Sequence, residues 1–245
     1  MRQDIDSALQ GWEFKPGVVQ ARMVQAGDGR QVIQLRVDLG LLQIEITGRP
    51  DGNRPHGFPT FFAYLRHQSA LAERTGQQFV LSEEQCMEAD REFIQFYHRR
   101  MCWLALRNYS QAVADSDHTL AFMDFVRDHS PGEEYTRAHE QYRGFVVFQR
   151  TQAAAAHFVE KEEPERAIDE TLAGLEQLRN FFSAHDLEEQ FDENPMVQQL
   201  RKLEQSLRKT HGIEATLLEQ LQKAVANEEY EAAARIRDVL RRRGK

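Results

Sequence analysis

The sequence predicts a mainly α-helical protein, a helical array or bundle. A small antiparallel β element precedes the helices and a helical hairpin ends the chain. Three observations carry this expectation. β-Branched residues alternate only before about residue 57. From Pro59 onward, apolar residues recur at helical spacing between capping and breaking residues. The chain then closes on two short amphipathic stretches hinged at Asn227.

The N-terminal element rests on the run Val24, Val32, Ile33, Leu35, Val37, Leu39, Leu42, Ile44 and Ile46, punctuated by AGDGR and GRPDGNRPHG. Two or three antiparallel strands with a hairpin at Asp28-Gly29 are the simplest reading. Such a sheet needs helices to lie against. The first helix starts at PTFFAYL and stops at Gly76, and the second begins at Ser82 with Glu84 and Gln85 close behind and runs to about Leu106. Helices are further expected from Tyr109 to about Asp128, Glu133 to about Lys161 and Glu165 to about His185. HDLEEQFDENP reads as a linker or loosely held loop, followed by helices over 196–210, 214–226 and 228–242. The division by composition is 1–57, 58–186, 187–212 and 213–245.

Length and a hydrophobic content of 41% over 245 residues allow one domain or two modest ones. No apolar run approaches the roughly 20 residues that cross a bilayer, and MRQDIDSALQGWEF lacks the pattern of a signal peptide. Cys86 and Cys102 form neither a disulfide framework nor a zinc motif, which points to a reducing cytoplasm. From Pro195 onward there are 11 Lys/Arg against 7 Asp/Glu, and the rest of the chain carries 20 against 32. An acidic body with a basic tail makes nucleic acid an unexpected primary partner.

Two segments align internally. Trp103 falls with Phe158, Ala112 with Ala167, Val113 with Ile168 and Leu120 with Leu175. In each, an aromatic residue ends one helix, and a small residue lies near the start of the next. This resembles the helix-turn-helix unit of tetratricopeptide repeats. The 55-residue spacing departs from that family's 34, and Arg100 stands where a small residue belongs. A plain antiparallel bundle gives similar apolar spacing, so array and bundle both stay open.

In ATLLEQLQKAVANEEYEAAARIRDVLRRR, one apolar stripe is Leu217, Leu218, Leu221, Ala224 and Val225, and a second is Tyr230, Ala233, Ala234, Ile236 and Leu240. Asn227 is placed to cap the second helix, with acidic residues in its first turn and arginines in its last. A hairpin of roughly 30 residues is too small to hold a core alone and must dock on something. Tyr230-Glu231, Ala233-Ala234 and Arg237-Asp238, after Leu221-x-x-Ala224-Val225, resemble the UVR motif. Bacterial excision-repair subunits UvrB and UvrC, some stress-response regulators and Clp-type chaperones share it. The resemblance implies a helical hairpin for protein-protein association, with Leu217, Leu221, Ala224, Tyr230, Glu231, Ala233, Ala234, Arg237 and Asp238 facing a partner or a second copy. Arg241, Arg242 and Arg243 at the tip would steer toward an acidic partner.

No nucleotide-binding, nucleophile-elbow or zincin motif occurs. Asp115-x-x-His118 and His157-x-x-Glu160 have the spacing of di-iron bundles, but one runs backwards, and solvated or turn-facing pairs are the better reading. No cofactor or metal is expected. The loop Arg49, Asp51, Asn53, Arg54 and His56 is a candidate ligand contact, although two consecutive tight turns explain its composition better. The expected function is a non-enzymatic adaptor. The alternatives are a DNA-repair accessory acting through the basic tail and an enzyme of unrecognised type using the Arg49–His56 loop.

Overall fold

The computed structural model describes residues 4–243. The chain forms two compact units, Met1–Val146 and Val147–Lys245.

In the first unit, a one-turn helix α1 (Asp6–Leu9) precedes β1 (Gln20–Gln25), β2 (Gln31–Val37) and β3 (Gly40–Glu45), one antiparallel sheet in the order β1-β2-β3. The β1-β2 connection is the expected hairpin: Ala26 N donates to Arg30 O at 2.8 Å, and Gly29 takes a φ of 89°. Val32 and Ile33 point to opposite faces of β2 and both are fully buried, so the sheet is covered on both sides there.

Four helices follow: α2 (Phe61–Arg74), α3 (Glu83–Ala105), α4 (Tyr109–His129) and α5 (Glu133–Glu140). Ser82 and Gln85 close the capping box that opens α3. The core between these helices is aromatic, with Phe122 stacked on Phe62 at 4.8 Å and on Phe93 at 4.5 Å. Buried charge ties the loop after β3 to the helices. Arg99 Nε and Nη2 donate to both Asp115 carboxylate oxygens at 2.9 and 2.7 Å, while Nη1 donates to Glu45 O and Gly48 O. Fully buried Glu92 accepts from Phe61 N at 2.6 Å and Phe62 N at 3.0 Å, so its charge sits at the positive end of α2.

The second unit takes in most of α6 (Arg143–Glu160), then α7 (Pro164–Ala184), α8 (Glu188–Phe191), α9 (Pro195–His211), α10 (Leu217–Ala226) and α11 (Tyr230–Arg243). A Cβ at Gly174 of α7 would collide with the Thr151 side chain, so the glycine permits a close approach to α6. Ala155, Ala167, Ile168 and Leu207 form a buried cluster, with Phe158, Leu172, Leu203 and Ile213 packed against it.

One turn recurs four times. Arg107, Glu162, Asp186 and Glu228 all adopt left-handed backbone, with φ of 57°, 58°, 56° and 60°. In each case the next residue donates its N–H back across the helix end: Asn108 to Trp103, Glu163 to Phe158, Leu187 to Phe182 and Glu229 to Ala224. This is a Schellman closure built without glycine, and its hydrogen bonds satisfy carbonyls the ending helix would leave open. It is the physical content of the internal alignment of Trp103 with Phe158. In the three helical hairpins so joined, α3/α4, α6/α7 and α10/α11, a buried alanine follows at the same place: Ala112, Ala167 and Ala233.

Several expectations are corrected. The helix expected from Glu133 to Lys161 is two, broken at Gln141–Tyr142, where Tyr142 N turns back to His139 O. Asp115 and His118 are not solvated: Asp115 is the buried partner of Arg99, and His118 stacks on Phe96 at 3.8 Å. The acidic stretch is not merely a linker, because α8 buries Phe191 against Phe182 at 5.7 Å, beneath the Arg179 guanidinium. Asn227 ends α10 rather than capping α11, which starts at Tyr230.

Candidate interaction hairpin

Gly212, in left-handed backbone, ends α9, and Ile213 returns to the second unit's core. Thr216 then caps α10 and fastens it to the unit at the same time. Its hydroxyl accepts from Glu219 N at 3.2 Å and donates to Asp169 Oδ1 of α7 at 2.6 Å, and the side chain is fully buried. The Glu219 carboxylate completes the capping box by accepting from Thr216 N at 2.8 Å, and it also accepts from Arg208 Nη2 of α9 at 2.7 Å. Burial opposes the Glu219 charge, but the Arg208 and Thr216 hydrogen bonds outweigh it and hold this carboxyl below its ordinary range. Burial pushes Asp169 the other way, only partly offset by the Thr216 hydroxyl. The hairpin's base is therefore fixed by polar contacts to α7 and α9.

Beyond that base, α10 and α11 pack on each other. Among the described residues of the two helices, the buried side chains are Ala224 and Ala233, while Leu217, Leu221 and Ala234 are half-buried. The nine residues assigned to a partner thus separate into two groups. Leu217, Leu221, Ala224, Ala233 and Ala234 are wholly or partly covered within the chain itself. Tyr230, Glu231, Arg237 and Asp238 are exposed, and Arg237 Nε lies 3.9 Å from Asp238 Oδ1 in a pair that is mostly solvated. The Arg243 side chain lies outside the described part.

The exposed apolar side chains of the hairpin are Leu218 at 40%, Val225 at 54%, Tyr230 at 67% and Val239 at 40%. Leu218, Val225 and Val239 were not singled out as partner-facing. For two of them the signal was present, since Leu218 and Val225 belong to the apolar stripe read on α10, at its edge beside Leu217, Leu221 and Ala224. A helix of 10 residues with so broad an apolar stripe has more apolar surface than one neighbour covers.

The loop after β3 forms two consecutive turns with proline second and glycine fourth. Gly52 N donates to Arg49 O and Gly57 N to Arg54 O, each at 2.9 Å. Arg49 is buried, with Nη1 2.5 Å from Glu88 and Nε 3.4 Å from Asp51, and Asp51 also accepts from Gln95. Those two residues anchor the loop to α3. Arg54 and His56 stay with the loop itself, Arg54 donating to Gly57 O and His56 stacking on Tyr64 at 4.0 Å. Asn53 donates to Asp51 through its backbone N–H and its side-chain amide, so the five candidate loop residues do not converge on one point. Cys86 and Cys102 are free and buried. Among the described residues, no group of three or more His, Cys, Asp or Glu could hold a metal, and no helix is long and apolar enough to cross a membrane.

No curated protein and no solved structure matches the chain. The UVR family model, described as the UvrB/uvrC motif, matches residues 215–242, so the segment that Thr216 anchors and that ends in the two packed helices is a UVR motif.

Proposed function

We propose that this chain is a non-catalytic adaptor of the bacterial cytoplasm whose C-terminal hairpin docks a helix of a partner protein. The observation that carries the reading is the exposed set Leu218, Val225, Tyr230 and Val239 on a UVR motif whose base is fixed to α7 and α9. Burying such side chains fully is worth about 1.5–3 kcal/mol each. A fixed base lowers the ordering cost of association. The covered residues Ala224 and Ala233 shape the hairpin, and the exposed set faces the partner. Arg235, Arg237, Arg241 and Arg242, all exposed, steer the encounter toward an acidic surface. Two free, buried thiols fit a reducing compartment.

The test compares the full chain with one ending at Glu214, which keeps Ile213 in the core. Proteins captured from a bacterial lysate are identified, and each chain's mass is measured by light scattering. The adaptor reading expects the captured protein, or the self-associated mass, to disappear on truncation. Unchanged capture and mass would show that docking lies elsewhere. Salt-sensitive duplex DNA binding lost on truncation would favour the nucleic-acid accessory instead.

A further inference from the structure

Helix α3 buries one face and leaves another bare. Glu83, Met87, Asp90, Ile94 and Tyr97 follow one another at spacings of four and three, so they share a stripe. Met87, Ile94 and Tyr97 are exposed on it. Ile94 and Tyr97 open onto a cavity of about 730 Å³ whose wall includes Phe93 and Met123, and Tyr142 and Phe145 are exposed across its mouth. Several large apolar side chains left bare around one groove mark a surface that another helix covers.

Charge names the helix. The N-terminal half of the α3 stripe is acidic. Glu83 is exposed, and Asp90 meets the Tyr135 hydroxyl at 2.8 Å and His139 Nε2 at 3.0 Å through Oδ1 alone, with its side chain 48% exposed. Of the exposed cations nearby, Arg91 is paired with Glu88 at 3.1 Å, and Arg137 of α5 is offset by Glu134. Helix α11 carries the reciprocal pattern. Tyr230, Ala234, Arg237 and Arg241 recur at spacings of four, three and four, and all but the half-buried Ala234 are exposed. Read backwards, that spacing matches Glu83, Met87, Asp90 and Ile94. Arg241 then meets Glu83, Arg237 lies over Met87 within reach of Asp90, and Tyr230 arrives at Ile94 and the cavity mouth. Read forwards, Tyr230 would lie on Glu83 and Arg241 on Ile94, so the charges select the antiparallel order.

We propose that α11 of a second copy of this chain docks antiparallel along the α3 stripe, with Tyr230 at the cavity mouth and Arg237 and Arg241 on Asp90 and Glu83. This rests on the adaptor reading and names the docked helix as α3 of another copy. Matched four-three spacing lets side chains of the two helices interdigitate, and Ala234 gives the backbones a close approach. The guanidinium–carboxylate pairs fix register and direction.

The test measures the mass of the full chain by light scattering from about 1 to about 300 µM, and self-association rising with concentration is expected. Ile94→Glu on α3 and Arg237→Glu/Arg241→Glu on α11 should each weaken it about tenfold or more. All three positions are exposed, so circular dichroism should stay unchanged. Mixing the two variants in equal amounts should restore paired chains, because one supplies an intact α11 and the other an intact α3. A chain that stays monomeric throughout, a mixture no heavier than its components, or undiminished association of Ile94→Glu would overturn the proposal. The last result would place the contact between two hairpins. If the chain is monomeric yet captures a lysate protein that Val225→Glu/Tyr230→Ala loses, this inference fails while the adaptor reading stands.

Discussion

The hairpins α3/α4 and α10/α11 are closed by the same turn, yet they do opposite things. Both end the first helix on a left-handed non-glycine residue, Arg107 or Glu228, and both bury an alanine early in the second, Ala112 or Ala233. In α3/α4 the helices run for 23 and 21 residues and bury Trp103, Phe96 and Phe122 together with the Arg99–Asp115 pair. In α10/α11 they run for 10 and 14 residues and leave Val225 and Tyr230 in solvent. The turn therefore sets local geometry only. Helix length and what lies over the apolar faces decide whether the hairpin becomes core or keeps apolar side chains in solvent.

Breaking the covered hairpin should be costly. Asp115→Ala leaves Arg99 buried without its carboxylate and is expected to destabilise the protein by about 3–5 kcal/mol, read from the midpoint of urea unfolding. Tyr230→Ala, in the exposed hairpin, should shift the same midpoint by no more than about 0.5 kcal/mol. Comparable losses would end the distinction. The intermediate case is α6/α7, where Gly174→Ala forces a methyl group into Thr151 and should cost about 1–3 kcal/mol in the same assay.

Smaller effects sharpen the comparison. Thr216→Ala removes the cap and the bond to Asp169 and should cost about 1 kcal/mol, seen as faster amide exchange confined to α10 and α11. Acid should loosen the same base. Because Glu219 is held below its unfolded value, its contribution is complete above about pH 4.3 and is lost as pH falls through the folded value. Burial pushes the Cys102 thiol up to about 12 and raises Cys86. Both should resist alkylation at pH 8 until urea unfolds the chain. Above about pH 8.5 the unfolded chain releases these protons while the folded chain keeps them, so stability falls as pH rises.

What the sequence made legible was local. Alternation located the strands, Ser82 with Glu84 and Gln85 marked a helix start, and Tyr230-Glu231 through Arg237-Asp238 marked the motif. Long-range pairing was not legible. Nothing near Asp115 announces Arg99, whose side chain arrives from the preceding helix, so an Asp-x-x-His spacing read as solvated. Phe191 sits among acidic residues, and its burial depends on Phe182 from a helix whose packing the local pattern does not encode. The break at Gln141–Tyr142 carries no proline. In the hairpin, the apolar positions were visible, but which stripe the chain itself would cover followed only once the two helices were placed.

The most direct test of the central claim is a point variant that leaves the hairpin's base intact. Val225→Glu/Tyr230→Ala alters only exposed side chains, and Thr216, Glu219 and Arg208 keep their contacts. The measurement is capture of the partner from lysate, alongside light-scattering mass, for this variant and the unaltered chain. The account predicts loss of the captured protein, or of self-association, with the unfolding midpoint preserved to within about 0.5 kcal/mol. Capture and mass identical to those of the unaltered chain would contradict it.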